Sequence, residues 1–370
     1  MSANKSLRVL INAINDNAVP RGPDRYLLEL IPHLLAANTA LEIDLVHAPW
    51  QQCFKEISLS NSNQRLRFHC LAPPRGPAIR LLWQASIFPR FANAMQPDVT
   101  FLPNLIWTPR LRSPCVMTGH DFLQFRAPEK FGRTKSALLR WVIKRAVRRC
   151  DRLLAVSTFT AADARRYTGI PDDHIVTILE GGPAAKERSK KQAAHTFLFV
   201  GKLERTKGIE TLIAAFKTSD ILQNAGYRLQ IVGPDGNASE QVSDCLKTGA
   251  SNIDRLGFIS EADLEQLYLT CRSFVFPSFA EGFGLVLLEA MARGAPVIAA
   301  DATSLPEVVG EAGILVPPGD VDALRTAMER LALEDALFEQ LQSAGYARLA
   351  NFSWVKAGAE TAALLKQVAR

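Results

Sequence analysis

Long apolar runs are missing from this sequence of 370 residues. No uncharged apolar stretch approaches the ~20 residues that a membrane-spanning helix requires. The first residues lack the apolar core and the small-residue cleavage site of a signal peptide, and are typical of a first strand instead. These absences predict a cytoplasmic protein without a membrane span.

Motifs for metals and for common cofactors are also missing. The six cysteines and six histidines are dispersed, with no Cys-x-x-Cys pair and no spacing typical of a zinc site. There is no G-x-x-x-x-G-K-[ST] motif and no G-x-G-x-x-G after a strand, which disfavours a kinase-type P-loop and an NAD-type site. We therefore expect free thiols, no metal and no cofactor.

Positive charge is concentrated in the first half of the chain. Residues 1–180 contain 24 Lys and Arg against 14 Asp and Glu, whereas residues 181–370 contain 19 against 23. The densest segment, residues 133–152, predicts an amphipathic helix with a basic face. Such a helix is either solvated or a contact for anionic lipid or a lipid-linked acceptor. Nucleic acid is disfavoured as a partner, because no binding motif accompanies the charge.

Predicted strands and helices alternate along the chain, which indicates parallel sheets covered by helices on both faces. The first series of predicted strands is 7–13, 41–47, 98–103, 115–119 and 152–157, with a helix at 24–36. After a polar, lysine-rich linker at 181–195, the second series is 196–201, 228–233, 273–278, 296–300 and 313–317. We expect two doubly wound α/β domains, residues 1–182 and 183–352, facing a cleft at the carboxyl ends of their strands.

Two carboxylates flank a glycine turn in the second half. Glu281 follows a predicted strand, and Glu289 lies in the apolar helix that begins after Gly284. The first amides of a helix lack partners and stabilise anionic oxygens, so we expect Phe283, Gly284 and Leu285 to be donors. An ionised carboxylate in an apolar helix is unfavourable unless a group donates hydrogen bonds to it, and the two hydroxyls of a ribose could do so. The alternative is that Glu289 faces solvent and Glu281 caps the helix.

Two other turns carry candidate residues. Lys202, Arg205 and Lys207 follow the first strand of the second series, where cations would suit a departing diphosphate. The alternative is an exposed charged loop. His120 follows the strand at 115–119, at the carboxyl end where ligands of such sheets bind. A lone histidine there is either structural or part of a site.

The sequence resembles the retaining glycosyltransferases of family 4, which have the GT-B fold of two Rossmann-like domains. The resemblance rests on the Glu-x7-Glu pair around Gly-Phe-Gly at 281–289, on ARGAPVIA at 292–299 and on LPEVVG at 305–310. It covers nearly the whole chain and is most specific from Val200 onward. It implies hexosyl transfer from a nucleotide sugar without a metal, and a C-terminal helix at 353–370 that crosses back to the first domain.

The resemblance also implies roles for these residues. Glu281 would hydrogen-bond the donor sugar, Glu289 would hold the ribose, and the amides of residues 283–285 would reach sugar and phosphate. His120, in the family's His-Asp pair, would contact the sugar near the reacting centre. Lys207 occupies the family's lysine position beside the diphosphate.

Departures from the family pattern concern three turns. Lys202 stands where the family has arginine, so we expect Arg205 to share its work. Glu180 replaces the usual asparagine. The acceptor-side loop retains three residues of the family's glycine-rich turn but has prolines at 20 and 23, which remove amide donors. The three are Gly22, Arg25 and Tyr26.

Donor and acceptor are less constrained by the sequence. The turns at 279–285 and 304–310 are frequent in mannosyltransferase-like members, which favours GDP-mannose first and a UDP-hexose second. We expect the base beside Gly233, Phe258 and Ile259. The acceptor would be a glycan or a lipid-linked molecule of bacterial-type surface polysaccharide or glycolipid synthesis, with peripheral contact to the inner face of an anionic membrane. A nucleotide-sugar epimerase and a non-catalytic nucleotide-sugar-binding protein are the alternatives.

Overall fold

The chain divides into two compact units in a computed structural model that describes residues 6–16, 20, 22–55, 57, 64–128, 132–188, 195–247 and 252–369. Unit 1 comprises Met1–Gly181 together with Ser353–Arg370, and unit 2 comprises Gly182–Phe352. The predicted linker at 181–195 lies partly outside the described residues. Each unit is built around its own parallel sheet.

The described part of unit 1 contains one parallel sheet in the order β3-β2-β1-β4-β5-β6-β7. Its strands are β1 (Leu7–Asn12), β2 (Leu41–His47), β3 (Leu66–Cys70), β4 (Val99–Leu102), β5 (Cys115–Gly119), β6 (Arg152–Ala155) and β7 (Ile175–Thr177). β4 and β5 are buried along their whole length, as expected for strands covered on both faces. The order reverses between β1 and β4, which makes their carboxyl ends the switch point where ligands of such sheets bind.

Helices cover this sheet. They are α1 (Gly22–Ala37), α2 (Pro77–Met95), α3 (Leu123–Arg126), α4 (Arg133–Val147), α5 (Thr158–Thr168) and α14 (Trp354–Val368), with a 3-10 turn at Asp172–His174. Ser157 caps α5 by accepting a hydrogen bond from the Thr160 amide at 3.0 Å. α14 packs on α1, where Gly358 lies against His33. The C-terminal helix therefore belongs to unit 1.

The sheet of unit 2, over its described residues, has the order β10-β9-β8-β11-β12-β13 and is also parallel. Its strands are β8 (Thr196–Val200), β9 (Arg228–Val232), β10 (Ile253–Gly257), β11 (Ser273–Phe276), β12 (Val297–Ala300) and β13 (Gly313–Val316). The switch point falls between β8 and β11. Buried aromatic side chains at Phe197, Phe199 and Phe274 fill the interior around these two strands.

The helices of unit 2 are α6 (Ile209–Lys217), α7 (Asp220–Asn224), α8 (Ser239–Lys247), α9 (Glu261–Thr270), α10 (Leu285–Ala292), α11 (Leu305–Val309), α12 (Val321–Leu333) and α13 (Asp335–Arg348). Short 3-10 turns occur at Arg205–Lys207 and Leu349–Asn351. α10 is apolar around most of its circumference because it lies in the interior, with Leu287, Leu288 and Met291 fully buried.

The structure differs from the sequence expectations in two respects. Strands β3, β7 and β10 were not predicted, and all three are partly exposed edge strands. β3 and β10 have polar residues among the apolar ones, and β7 has only three residues. The basic helix predicted at 133–152 ends at Val147, since β6 begins at Arg152. Two residues of its predicted apolar face, Leu138 and Trp141, are exposed by 54% and 52%.

Candidate active site

Lys207 and Glu281 meet at the switch point of the unit 2 sheet. Lys207 lies in the turn after β8, and Glu281 lies in the turn after β11, the neighbouring strand. The Lys207 Nζ atom donates to Glu281 Oε1 at 2.5 Å, and both side chains are mostly but not fully buried. The cation also lies 5.5 Å from the centre of the Phe276 ring. Two residues 74 positions apart in sequence thus form one charged pair at the expected ligand end of the sheet.

Gly208 allows the two turns to come this close. Its φ of 67° lies in the left-handed region, and an added Cβ would stand 2.0 Å from the carbonyl oxygen of Pro277. A side chain would therefore push the Lys207 turn away from the Glu281 turn. Gly233, after β9, has the same role toward Gly201, whose carbonyl oxygen would lie 2.0 Å from a Cβ.

Hydroxyl groups fix the Glu281 turn. Ser278 Oγ donates to the same carboxylate oxygen as Lys207, at 2.7 Å. Thr303 Oγ1 accepts from the Glu281 amide at 3.1 Å, and Ser304 Oγ donates to the carbonyl oxygen of Phe283 at 2.9 Å. The turn after β12 therefore fixes the backbone of the Glu281 turn through these two hydrogen bonds. Such bracing keeps a charged group in one orientation before any ligand arrives.

The start of α10 and Glu289 lie next to this pair in sequence. Gly284 caps the N-terminus of the helix with φ 116°. The amides of Phe283, Gly284 and Leu285 therefore lie at the end of the helix where partial positive charge accumulates. Glu289 is half-buried, and its Oε2 accepts from the hydroxyl of Tyr268 at 3.1 Å. This contact shows that the carboxylate is not simply solvated, because a buried tyrosine of α9 orients it.

The other two cations of the first turn have acidic neighbours. Lys202 Nζ lies 2.9 Å from Glu204, and Arg205 Nε lies 3.7 Å from Glu210. The side chain of Arg205 is 62% exposed, whereas that of Lys207 is 22% exposed. The structure thus brings Lys207, rather than Arg205, into contact with the predicted sugar-binding carboxylate.

The predicted base-binding residues lie at the neighbouring edge of the same sheet. The amide of Gly233, after β9, donates to the carbonyl oxygen of Gly257 at the end of β10 at 2.7 Å. Phe258 follows directly and is 75% exposed, while Ile259 is partly buried. An exposed phenyl ring beside a glycine turn offers a flat apolar surface for stacking.

In unit 1, His120 follows β5 and is held from both sides. Its Nδ1 lies 3.2 Å from Glu180 Oε1, and its Nε2 lies 3.0 Å from the carbonyl oxygen of Pro103, which follows β4. Tyr26 packs edge-on against the imidazole, with ring centres 4.9 Å apart. Both ring nitrogens therefore face oxygen atoms.

The acceptor-side residues lie in a helix. Gly22, Arg25 and Tyr26 belong to the first turns of α1, which begins two residues before the predicted start, and part of the loop before it is outside the described residues. Tyr26 is buried, and burial raises the pKa of its hydroxyl far above the usual value. It packs on His120 and on Trp354 of α14. Tyr26 thus supports the histidine from behind, while Gly22 is exposed and Arg25 half-buried.

Sequence reasoning missed several supporting residues. Glu180 was noted only as a departure from the family pattern, although it is buried and contacts His120. Ser278, Thr303 and Ser304 were not singled out. The spacing of Ser278 three residues before Glu281 was a usable signal, because that separation suits a local side-chain contact. Nothing local indicated the other two.

The described part of the chain contains neither a candidate membrane-spanning helix nor a candidate metal-binding cluster. Over the described ranges, no helix is long and apolar enough to cross a membrane. In the same part of the chain, no three His, Cys, Asp or Glu side chains are grouped in a way that could hold a metal ion.

Comparison with known proteins assigns the family. The family described as Glycosyltransferase Family 4 matches residues 20–181, and that described as Glycosyl transferases group 1 matches residues 194–334. The "O-antigen chain mannosyltransferase B" of Escherichia coli is 30% identical over 364 residues, which cover 92% of this chain and 94% of the relative. The chain therefore belongs to glycosyltransferase family 4, and it is a glycosyltransferase.

Solved structures agree on the fold. Sucrose-phosphate synthase from Thermosynechococcus elongatus matches with a TM-score of 0.79 at 21% identity, covering 98% of each chain. The Anabaena protein Alr3699/HepE in complex with UDP and glucose matches with a TM-score of 0.75 at 20% identity, covering 97% of this chain and 99% of that one. The predictions of the family and of the GT-B fold are confirmed.

Proposed function

We propose that this protein transfers a hexose from a nucleotide diphosphate sugar to a glycan or lipid-linked acceptor in bacterial-type surface polysaccharide synthesis. The observation that carries the proposal is the Lys207–Glu281 pair at the switch point between β8 and β11. The name of the E. coli relative, an O-antigen chain mannosyltransferase, supports the same class of acceptor.

The proposed diphosphate site uses cations and backbone amides. Lys207 would neutralise the phosphate that leaves with the nucleotide, aided by Lys202, Arg205 and the amides at the start of α10. Negative charge grows on this phosphate as the bond to the sugar breaks, so a fixed cation lowers the barrier. Lys207 suits this role because Glu281, which also accepts a hydrogen bond from Ser278, already holds its position.

The proposed hydrogen-bonding group for the sugar in unit 2 is Glu281, and the proposed sugar contact in unit 1 is His120. The bond between the sugar's anomeric carbon and the phosphate oxygen breaks, and the acceptor hydroxyl forms the new bond on the same face. The leaving phosphate accepts the hydroxyl proton, so the reaction retains the anomeric configuration with neither a protein nucleophile nor a metal. The protein contributes positioning and charge stabilisation.

The proposed donor is GDP-mannose first and a UDP-hexose second. The mannosyltransferase name of the E. coli relative supports mannose, whereas the UDP and glucose in the Anabaena structure support the second choice. In either case Glu289 would hold the ribose hydroxyls, and the base would lie beside Gly233 and Ile259 on the exposed ring of Phe258.

A thermal-shift screen with GDP, UDP and ADP, each as the free diphosphate and as a nucleotide sugar, tests the donor. A nucleotide present at a concentration 100 times its dissociation constant stabilises the folded state by about 2.7 kcal/mol. Equal shifts for all bases, or none, would contradict the proposed site. The preferred donor is then incubated with glycan and lipid-linked acceptors, and the anomeric configuration of the product is read by NMR.

Incubation with the donor alone separates the alternatives. A transferase leaves the sugar unchanged or slowly hydrolyses it, whereas an epimerase produces a new nucleotide sugar. A protein that binds the donor but releases no nucleotide with any acceptor would be a non-catalytic binding protein.

A further inference from the structure

Thr303, in the turn between β12 and α11, has a backbone conformation that its side chain disfavours. Its φ of 55° lies in the left-handed region, where the Cβ atom of an L-residue crowds the next carbonyl oxygen. Over the described residues, positive φ occurs at two other non-glycine positions, Gln96 and Arg110. Both side chains are unbranched at Cβ, and Gln96 directly follows α2, where a left-handed residue is common. A β-branched residue in this region is a clear outlier.

The conformation of this turn does not by itself require a threonine. Glycine adopts a positive φ without strain, and asparagine tolerates it better than most residues. A threonine lowers stability at such a position, so its presence indicates a contact that glycine could not make. The contact is made by the side-chain hydroxyl, which is the group that glycine lacks. Thr303 Oγ1 accepts a hydrogen bond from the Glu281 amide at 3.1 Å.

The left-handed conformation also brings a second hydroxyl to the same turn. In an extended segment, consecutive side chains point to opposite sides of the chain. At Thr303 this alternation is broken, and the hydroxyl of Ser304 reaches the carbonyl oxygens of Glu281 and Phe283 at 3.2 and 2.9 Å. Ser304 is fully buried, so these contacts are shielded from water. Two consecutive side chains therefore contact both the amide and the carbonyl group of Glu281.

The contact continues to the start of α10. A Cβ atom on Gly284 would lie 3.0 Å from the side chain of Leu305. Residues 303–305 therefore contact the segment from Glu281 to Gly284 at both of its ends. That segment carries the carboxylate that pairs with Lys207 and the amides at the N-terminus of α10. A shift of the turn after β12 would displace both groups.

We propose that Thr303 is a positioning residue for sugar transfer, and that its strained backbone is a consequence of that role. The inference rests on the proposed function of Glu281 as the sugar-binding carboxylate. Thr303 acts through the Glu281 turn, because its hydroxyl fixes the amide and so keeps the carboxylate in the orientation that the reacting sugar requires. A misplaced sugar lowers kcat more than donor affinity, since the base and the diphosphate still contribute to binding.

Three substitutions separate the hydroxyl from the backbone strain. Thr303→Val keeps the branched shape and the strain but loses the hydroxyl, Thr303→Gly loses both, and Thr303→Ser keeps the hydroxyl. We expect kcat to fall about tenfold in the valine and glycine variants, because the Glu281 amide loses its acceptor, while the donor KM changes by less than about twofold. The serine variant should retain the kcat of the unchanged protein. An equal loss in the serine variant would assign Thr303 to packing and overturn the proposal.

The strain is measured by comparing the two variants that lack the hydroxyl. Valine keeps a branched Cβ atom at positive φ and glycine does not, so the equilibrium constant for unfolding should be about fivefold larger for Thr303→Val than for Thr303→Gly. Urea unfolding followed by circular dichroism gives both constants and verifies folding. The control is Gln96→Gly in unit 1, which replaces a left-handed residue with φ 48° and should leave kcat unchanged. A more stable valine variant, or a loss of kcat in the control, would count against the proposal.

A reference variant distinguishes this inference from the proposed function. Turnover is followed as release of GDP from GDP-mannose or of UDP from UDP-glucose, whichever donor the thermal-shift screen selects. If Glu281→Ala lowers turnover about 100-fold and Thr303→Val does not, the role of Thr303 fails and the sugar site stands. If Glu281→Ala leaves turnover unchanged, both fail.

Hydrogen exchange of the Glu281 amide, followed by NMR, tests the contact without any donor. Loss of the hydroxyl acceptor should make this exchange about tenfold faster in Thr303→Val than in the unchanged protein. The serine variant should exchange at the original rate. An unchanged rate in the valine variant would overturn the proposal.

Discussion

Glu180 holds His120 from the side opposite to Pro103. The carboxylate oxygen lies 3.2 Å from His120 Nδ1, and the Pro103 carbonyl oxygen lies 3.0 Å from Nε2. Glu180 is buried. An imidazole held between two oxygen atoms is fixed in orientation.

Replacing Glu180 tests this relationship. Glu180→Leu removes the acceptor from Nδ1, and we expect kcat to fall by about tenfold or more because a buried polar contact is lost. Glu180→Gln keeps an acceptor oxygen at nearly the same position, and should lose less. The readouts are steady-state kinetics and the 15N shifts of the imidazole, which report protonation and tautomer. Equal kinetics for the leucine variant and the unchanged protein would assign Glu180 a structural role only.

Lys207 and Glu281 should act as a unit. Each of Lys207→Ala and Glu281→Ala should lower turnover by about 100-fold or more, because the first loses the diphosphate cation and the second loses a sugar contact. Since the side chains contact each other at 2.5 Å, the double variant should lose less than the product of the single effects. Turnover is measured at saturating donor. Additive losses would mean that the two residues work independently.

Gly208 should not tolerate a side chain, because its backbone lies very close to the backbone of Pro277. Gly208→Ala meets the Pro277 carbonyl oxygen at 2.0 Å in addition to its positive φ, and should lower the stability of unit 2 by about 3 kcal/mol or more. Gly226 is the matched control, because its φ is 70° and an added Cβ would meet nothing within 4 Å. Gly226→Ala should cost about 1 kcal/mol.

The sequence offers a way to attribute this loss to one unit. All five tryptophans belong to unit 1, so their fluorescence follows the unfolding of unit 1 alone, whereas circular dichroism follows both units. Gly208→Ala should lower the denaturant midpoint seen by circular dichroism and leave the fluorescence midpoint in place. A similar loss for both glycine variants would refute the role of Pro277.

Asp44 should make unit 1 less stable in acid. Burial opposes its ionisation, but hydrogen bonds from Arg67, His69 and Arg8 outweigh burial and hold the pKa of Asp44 below its usual value of 3.8. Because the pKa of Asp44 is lower in the folded protein than in the unfolded chain, the ionised carboxylate stabilises the fold at pH values above the unfolded-chain pKa. This stabilisation is lost as the pH falls through the folded-state pKa. Tryptophan fluorescence should therefore show lower unfolding free energy at about pH 3 than at pH 6.

The isosteric variant Asp44→Asn checks the cause. It should already be less stable at pH 6, by about 1–3 kcal/mol, because three cationic or polar partners lose their carboxylate. Its unfolding free energy should then fall less than that of the unchanged protein between pH 6 and pH 3. A parallel fall in both proteins would assign the acid sensitivity to other groups.

The sequence by itself determined the two series of buried strands, the family, and most of the candidate residues. Strands β2 and β5 were predicted with their observed bounds, because apolar residues dominate both segments and local turns mark their ends. The glycine turn before Leu285 was also predicted, because glycine between an apolar strand and a helix is a local signal for a turn. Composition, periodicity and turn residues are local signals that extend over a few positions. Strands and tight turns depend on such local signals, so they can be predicted from the sequence.

The tertiary structure decided which residues meet. Edge strand β3 forms through pairing with β2, although its own sequence has no apolar run. Lys207 reaches Glu281 across 74 positions, and His120 reaches Glu180 across 60. The order of strands sets these contacts, together with close approach at Gly208. The exposure of Trp141 was likewise decided by packing, since burial of the opposite side of α4 against the sheet leaves this ring on the surface.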